Sequence, residues 1–417
     1  AQTLSATGTQ TFYNLTLSNS GTKTINTTTV NNILSMEGTA TASAAPTYGT
    51  NATLRYNTAT SRTVGVEWIT PFAATGGVII DNTGAIITNG NKVFNQDVPL
   101  TINSGATLSP AAGNTFSFGG DFINSGTWTP STGDVTIALD RVSQNIGSLS
   151  TSGTVNMTKA TGAATFTGNI NCGTLSLGAA GTLNLGSGLT HVITGGLAGT
   201  AGTLNGNSST LRIGGAVTAS IAFNANTGTV DYNGSGAQTI PGVTYYNLQT
   251  STADTKTLGG DTVVEGVFTN NSGATFAPAT FVFTLSGAGT PFVNNGTFTP
   301  GTSTISFSSA SSTNVPALNY YNLTLTGGPR VLAGSGTIGI EGLFTPGAGA
   351  FTVTGSKVEF NGGAQTIPAF TFNDLVLSGS GAKTIPTATT VSVNEIDILN
   401  GPTLDIEGTA AINITKP

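Results

Sequence analysis

The chain has 417 residues, and only 7% of them are charged, whereas about a quarter are charged in an ordinary soluble protein. Its formal net charge is −6 and it has no basic cluster, which argues against nucleic acid as a partner, because binding to phosphates requires Lys and Arg. Intrinsic disorder is disfavoured, since 37% of the residues are hydrophobic and regularly placed. No run of about 18 apolar residues is present, so we expect no membrane span.

A short anchor motif recurs along the chain and is the main guide to its architecture. It first reads QTFYNLTL around Asn14, and it returns around Asn247, Asn322 and Asn373. The units of such an array bury their apolar faces by stacking on one another, which is the property of a solenoid. The shared asparagine would form amide ladders wherever turns that carry it adjoin.

The segments between the anchors alternate apolar and polar residues, which is typical of strands with one buried face. In chain order they include LRYN from Leu54, FINSGTWTP from Phe122, TLSL from Thr174, TLNL from Thr182 and TLRI from Thr210. Glycine pairs and Asn-Gly or Ser-Gly steps separate these segments and supply turns. No segment has a convincing helical period, so we predict an all-β chain with no significant helix.

The spacing of the strands indicates how they are arranged. Strands begin about every eight residues in the middle of the chain, so three of them would form a coil of about 25 residues. The anchors at Tyr246, Tyr321 and Phe372 are 75 and 51 residues apart, close to multiples of that length. Such spacing favours a right-handed parallel β-helix over a string of sandwich modules. We predict one continuous β-solenoid over residues 1–417, with irregular or insertion-bearing coils around 140–220.

Two cassettes carry a resemblance to a known class of proteins. One joins GAQTIP from Gly236 to YYNL from Tyr245, and the other joins GAQTIP from Gly363 to FNDL from Phe372. They resemble the repeats of large bacterial secreted and cell-surface β-helix proteins of the adhesin or surface-fibre type. The resemblance implies an extracellular stalk or adhesive scaffold. It names no ligand, because one fold carries many functions.

Residues capable of catalysis are few. His191 is the only histidine, and we expect it to point outward from a strand; the single cysteine, Cys172, is expected to be buried. Neither has the companion His or Cys that a metal site needs. We therefore predict no catalytic, cofactor-binding or metal-binding residues and no cofactor, and a protein that is not an enzyme.

Four Glu-Gly steps are the carboxylates that form a pattern, at Glu37, Glu265, Glu341 and Glu407. We interpret each as an exposed turn residue followed by a glycine with positive φ. The alternative is a weak cation site, since Ca²⁺ prefers oxygen ligands.

Two tyrosine pairs, Tyr245-Tyr246 and Tyr320-Tyr321, are candidate platforms for stacking on sugars. Adjacent strand residues point to opposite faces, so one ring of each pair is expected in the core and the other on the surface. Carbohydrate binding or degradation is therefore the alternative function, with a surface polysaccharide or matrix as the partner.

Both ends of the sequence have the pattern of open strands. The first anchor contains Tyr13, Leu15 and Leu17, and the sequence closes on an alternating run that contains Ile412 and Ile414. Unpaired edges at the ends of a solenoid can pair with another copy. These five residues are the predicted self-association edges of a homo-oligomer or filament; the alternative is that the sequence is a piece of a longer array.

These observations lead to one functional expectation. We predict a non-catalytic extracellular structural protein, an adhesin stalk or surface-fibre subunit that assembles end to end. Its predicted location is the cell surface or the extracellular medium.

Overall fold

The structure is a computed structural model that describes residues 8–138, 142–399 and 401–415. Every regular element in these ranges is a β-strand, and the strands pair in parallel, turn upon turn. Within the described ranges there is accordingly no helix long and apolar enough to cross a membrane. The predicted all-β class and β-solenoid architecture are confirmed.

The first of two compact units extends to Asn224. Its longest sheet joins, in order of pairing, Gln10–Leu17, Thr28–Met36, Thr53–Asn57, Val78–Asp81, Leu100–Ile102, Phe122–Asn124, Ser143–Ile146, Ala163–Phe166, Thr182–Asn184, Thr203–Asn205 and Ala222–Asn224, with Thr47–Tyr48 beside the second strand. A second sheet joins Lys92–Val93, Phe116–Phe118, Val135–Ile137, Thr154–Met157, Thr174–Leu177 and Leu197–Gly199. The other strands of this unit pair in three runs, namely Arg62–Thr63, Ala85–Ile87, Thr107–Ser109 and Thr127–Trp128; Leu149–Ser150, Ile170–Cys172, Thr190–Ile193 and Thr210–Ile213; and Ser20–Lys23 with Thr39–Ala42.

The second unit begins at Ala225. Two runs of paired strands in this unit are Thr229–Tyr232, Asn247–Thr250, Phe268–Asn270 and Phe292–Asn294, and Gln238–Ile240, Asp254–Leu258, Ala274–Ala277 and Thr297–Phe298. Two more join Thr244–Tyr245, Thr262–Val264, Val282–Leu285, Thr304–Phe307, Asn322–Leu325 and Phe344–Pro346, and Thr313–Val315, Arg330–Leu332 and Phe351–Thr352. The last two join Asn319–Tyr320, Thr337–Ile340, Lys357–Phe360, Phe370–Leu377, Thr390–Ile398 and Ala411–Ile414, and Gln365–Thr366, Ala382–Ile385 and Thr403–Ile406.

The strands form where the sequence alternates, because alternate residues then reach the interior of each turn. In Thr53–Asn57, Leu54 and Tyr56 are fully buried while Arg55 lies on the outer face. Parallel pairing in register brings Leu54 onto Val78 of the next turn, so that like side chains stack along the core. Each turn is therefore covered by its two neighbours, as expected for a solenoid.

Most turns are shorter than the spacing of the motifs predicts. The number of residues from one strand to its partner in the next turn gives the length of that turn. Among the described strands, no two paired residues are farther apart in sequence than Leu54 and Val78, and none are closer than Val358 and Leu375. The predicted length, three strands at about eight residues each, is too long for most turns, and the anchor spacings supported it only because they were counted as whole numbers of turns. The strands that contain Asn247 and Asn322 belong to different sheets, so their separation is not a whole number of turns.

Two further architectural predictions are not tested by the strand pairing. Right-handed winding and a single continuous array over residues 1–417 remain predictions. In the segment 142–224 the shortest turn separates the paired residues Ala163 and Thr182, and the longest separates Leu175 and Leu197. Both spacings fall inside the limits set by the other turns.

Candidate functional site

The Gln and Lys of the repeated cassette form a polar bracket in the wall of the second unit. Gln238 pairs in register with Lys256 of the next turn, and Gln365 pairs with Lys383 in the same way. All four side chains are buried. The motif thus specifies an interaction between neighbouring turns, which the sequence pattern alone did not reveal.

The brackets bind the backbone of glycine-rich corners. Lys383 Nζ donates to the carbonyls of Gly362 (2.8 Å) and Gly363 (2.6 Å) and to Gln365 Oε1 (2.7 Å). Lys256 makes the corresponding bonds to two glycine carbonyls, and burial lowers the pKa of both ammonium groups. Charge-assisted hydrogen bonds to these carbonyl oxygens compensate for the burial of the ammonium groups. We conclude that these lysines have a structural role.

The anchor asparagines join three successive turns. Asn247 Oδ1 accepts the N–H of Val267 at 3.0 Å, and its Nδ2 donates to Thr229 Oγ1 at 3.4 Å. Asn322 makes the same pair of bonds in its own cassette. The asparagine of the repeated Tyr-Asn-Leu motif therefore forms hydrogen bonds that hold neighbouring turns together, and these bonds occupy its amide group.

Asparagine side chains of adjacent turns form amide ladders. The anchor asparagines are not bonded to one another; each bonds to a different asparagine in the following turn or lies outside these ladders. Asn205 Nδ2 donates to Asn184 Oδ1, and Asn224 Nδ2 donates to Asn205 Oδ1, both at 2.8 Å. Asn14 and Asn373 each accept a bond from an asparagine of the following turn. The signal for the longer ladder is a Thr-Leu-Asn sequence that recurs in the next turn.

The four Glu-Gly steps are of two kinds. Gly38 and Gly408 have φ angles of 59° and 53°, as predicted. Gly266 and Gly342 do not have positive φ, and at these two steps the prediction is wrong. A Cβ at either position would collide with the anchor asparagine and crowd the tyrosine of the preceding turn. There the glycine is required by close packing.

His191 points into the core, not outward as predicted. Its side chain is 1% exposed, like that of Ile193 two residues later, so the strand phase places both inside. Nδ1 accepts the N–H of Ile170 at 3.2 Å, and Nε2 donates to the Leu185 carbonyl at 2.7 Å. Burial lowers the pKa of the imidazole. His191 is therefore a neutral core residue with both nitrogens engaged.

Other residues that the sequence singled out lie as predicted. Cys172 is buried, and burial raises the pKa of its thiol to about 12. Tyr245 and Tyr320 are buried, whereas Tyr246 and Tyr321 are half-buried. Within the described ranges, no group of three or more His, Cys, Asp or Glu is placed to hold a metal ion.

One carboxylate of the first unit is completely enclosed. Glu67 Oε1 accepts hydrogen bonds from the Tyr56 hydroxyl (3.0 Å), the Gly65 N–H (2.8 Å) and Arg62 Nη2 (3.4 Å). The Tyr48 hydroxyl donates to the Glu67 carbonyl at 2.7 Å. Because Glu67 is fully buried, it faces no cleft that a substrate could enter. This cluster ties the segment after Arg62 to the wall of the solenoid.

A polar groove of about 250 Å³ lies on the first unit, with Asn124, Trp128, Asn169 and Asn171 in its lining. Trp128 is 6% exposed, and its Nε1 donates to the Ser150 carbonyl at 3.1 Å. The lining contains amides and hydroxyls but no Asp or Glu. The groove can therefore hydrogen-bond a sugar, but it lacks the pair of carboxylates that cleaves a glycosidic bond.

The last described turn of the second unit has exposed apolar side chains. The alternation along its strands directs these side chains inward, but they remain accessible to solvent. Ile398, Ile406 and Ile414, one from each of its strands, are 49%, 46% and 59% exposed. We call these three residues the terminal apolar face. Of the predicted edge residues, Ile414 belongs to this face and Ile412 beside it is half-buried. Thr403–Ile406 and Ala411–Ile414 each pair with one strand among the described residues, so each presents a free backbone edge.

The first described turn differs from the last. Leu15 and Leu17 are only 8% and 4% exposed, so their side chains belong to the core and offer no apolar contact. Tyr13 is 71% exposed. The strand Gln10–Leu17 lies at the edge of its sheet in the described part of the chain. The predicted N-terminal edge is therefore one of backbone groups and Tyr13.

Comparisons of the chain with models of known families, with curated proteins and with solved structures gave no match in any of the three.

Proposed function

We propose that this chain is a non-catalytic structural protein of the cell surface or the extracellular medium, an adhesin stalk or surface-fibre subunit that assembles end to end. The terminal apolar face carries the proposal. Three isoleucines lie at the open side of a turn whose backbone edges are also unpaired in the described chain. A further turn of solenoid would cover both, whether it belongs to another copy or to a longer array of which this sequence is a piece.

The energetics of this contact are those of one more turn of solenoid. Complete burial of one exposed isoleucine contributes about 1.5–3 kcal/mol, and because these three are already about half buried, covering each contributes about half of that. Three of them, with new backbone pairing along two strands, can offset a good part of the cost of association. Because the first and the last described turns are different surfaces, a contact between them is heterologous and can repeat from copy to copy.

A structural role also accounts for the polar residues inside the wall. Lys256, Lys383, Gln365 and His191 each satisfy backbone groups of adjoining segments. Their chemistry is used in holding turns together, and the low charge and the resemblance to surface β-helix repeats favour an extracellular location.

The proposal is tested by light scattering and electron microscopy at rising protein concentration. The test variant is the double substitution Ile406→Lys and Ile414→Lys, which places charge on the terminal apolar face. The control is Ile123→Lys, since Ile123 is 46% exposed, as Ile406 is, but lies on a side wall. End-to-end particles that form in the parent and the control but not in the double variant support the proposal. A parent that stays monomeric at every concentration overturns it.

Carbohydrate binding is the second candidate, and the groove beside Trp128 favours it. Amide side chains in a shallow groove are suited to the hydroxyls of a surface polysaccharide or matrix glycan. Asn171 is exposed in this lining, so Asn171→Ala should weaken binding measured on a glycan array or by titration calorimetry. Equal binding by parent and variant would dismiss the groove.

A further inference from the structure

A small cavity of about 260 Å³ opens on the outer wall of the second unit. Asn319, Tyr320, Glu341 and Asn361 line it. These residues come from three successive turns, because Tyr320 pairs in register with Ile340 and Ile340 with Phe360. The cavity is therefore a feature of the stacked wall and not of a loose loop.

The cavity exists because an outward position lacks a side chain. Gly339 lies between Asn319 and Glu359 in the column of outward residues. A Cβ at Gly339 would collide with Asn319 Oδ1 and approach Asn361 Nδ2 to 2.8 Å. The glycine is thus needed to let two amide side chains close over the same point.

Glu341, Asn319 and Asn361 each carry a side-chain oxygen, and at the point over Gly339 Asn319 presents its Oδ1 while Asn361 presents its Nδ2. Glu341 contributes an exposed carboxylate, and Asn319 and Asn361 contribute amides. Within the described residues, nothing donates a hydrogen bond to the buried Oδ1 of Asn361. Amide oxygens and a carboxylate from neighbouring strands are ligands that hard cations prefer. Of the three side chains, two are amides and one is a carboxylate, so the site carries a single negative charge.

An earlier copy of the same cassette, around Tyr245, can be compared with the cassette that forms this cavity. The earlier cassette has the same Tyr-Tyr pair and Glu-Gly step, with Val263 pairing in register with Thr244. Val263 therefore occupies the position of Gly339. Ser286, whose N–H bonds to the carbonyl of Val264, occupies the position of Asn361. The earlier copy keeps the glutamate, Glu265, but fills the cavity and replaces both amides with hydroxyls.

The charge distribution of the chain favours a cation at an outer site. Among the described residues, the buried acidic side chains are those of Glu67 and Asp231. The buried basic side chains of the same ranges are more numerous, namely Lys23, Arg62, Lys92, Lys159, Lys256, Arg330 and Lys383. The outer surface is consequently more acidic than the formal net charge of −6. Near the cavity, Lys357 lies on the same strand as Glu359 and offsets part of this excess.

We propose that the cavity over Gly339 is a binding site for a hard divalent cation of the Ca²⁺ type, held by Glu341, by Asn319 Oδ1 and by Asn361 Oδ1, with the Asn361 amide turned about its last side-chain bond so that Oδ1 takes the place of Nδ2. With a single carboxylate among the three groups, the affinity belongs to the weak class of extracellular calcium modules, with Kd on the order of 10⁻⁴–10⁻³ M. Such a cation would fasten three turns of the wall together.

The experiment uses Tb³⁺ as a luminescent probe of the cation site, excited through the adjacent Tyr320 and Tyr321, with Ca²⁺ as the competitor. The parent chain should show saturable emission that Ca²⁺ displaces. Glu341→Gln should remove that component, and Gly339→Val should remove it by copying the earlier cassette. Glu265→Gln, the matched control at the filled copy, should leave it unchanged. Circular dichroism verifies that each variant keeps its strand signal.

The competing results are distinct. Absence of saturable emission in the parent would overturn the proposal. So would equal loss in the Glu341→Gln and Glu265→Gln variants, because that pattern describes general attraction to surface carboxylates. Binding that survives Glu341→Gln in a folded protein would also contradict it. None of these results depends on whether the chain self-associates.

Discussion

Two neighbouring turns at the C-terminal end of the second unit place like residues at like positions but differ in their burial. Val393 pairs in register with Ile414, and Ile385 with Ile406. The first residue of each pair is 1% and 0% exposed, and the second is 59% and 46% exposed. The strand phase is the same in both turns. The comparison shows that phase directs a side chain inward but that only a following turn buries it.

The opposite end of the described chain sharpens this contrast. Leu15 and Leu17 lie in the first described turn, yet they are almost as buried as residues of the interior turns. The two ends are therefore unequal in apolar exposure. For this reason the proposed contact depends on the terminal apolar face, and the first turn contributes a strand edge.

The largest effect is expected for a core residue in a covered turn. Phe372 is 1% exposed and stacks in register on Val393, so Phe372→Ala should lower the free energy of unfolding by about 3–5 kcal/mol. Ile414→Ala, in the same column, should cost less than about 1 kcal/mol, because its side chain remains largely in water. Urea unfolding of both variants, at a protein concentration too low for assembly, checks this. Equal losses would mean that the last turn is covered in solution by something else.

The polar bracket should have the next largest effect. Lys383→Met removes three charge-assisted hydrogen bonds from this corner, which should cost about 1–3 kcal/mol. Lys357→Met is the matched control on the outer face and should change stability by less than about 0.5 kcal/mol. Thermal or urea unfolding separates the two. If both changes have the same small effect, the bracket does not stabilise the corner.

A smaller effect should follow from the titration of His191. Burial lowers its pKa in the folded state, whereas in the unfolded chain the pKa is about 6.5, so the unfolded state binds more protons between these values. The free energy of unfolding should therefore fall as the pH drops through about 6.5 and level off below the folded pKa.

Replacement of the imidazole tests the assignment of this pH dependence. The His191→Gln variant cannot titrate at this position, so its stability should be flatter between pH 7.5 and pH 5.5, on the order of 1 kcal/mol per pH unit less steep. Urea unfolding across this range gives the comparison. A slope that persists in the variant would assign the pH dependence to other groups.

Much of the fold could be predicted from the sequence, because alternation is a local signal. Segments such as Thr182–Asn184 and Thr210–Ile213 are strands, as their pattern predicts. The length of a turn could not be predicted, since a cassette returns on a different sheet and its spacing in sequence is not a whole number of turns. The inward position of His191 was missed because a polar residue in an alternating run has the appearance of an outer one.

The polar sites were harder to predict because they are made by residues that lie on neighbouring turns and are far apart in sequence. Gln365 and Lys383 were visible as parts of repeated motifs, but their hydrogen bonding depends on the register between turns. The same holds for Gly339, whose significance appears only when Asn319 and Asn361 are placed beside it. Sequence spacing alone does not give that register.

The most direct test of end-to-end assembly uses two cysteine variants and a short bismaleimide cross-linker. One variant carries Thr11→Cys on the edge strand of the first turn, and the other carries Asn413→Cys on the last described strand; both positions are exposed, and the native Cys172 is buried. End-to-end assembly predicts cross-linked dimers only when the two variants are mixed. Absence of a cross-link in the mixture, or cross-linking of the Asn413→Cys variant with itself, would contradict the account.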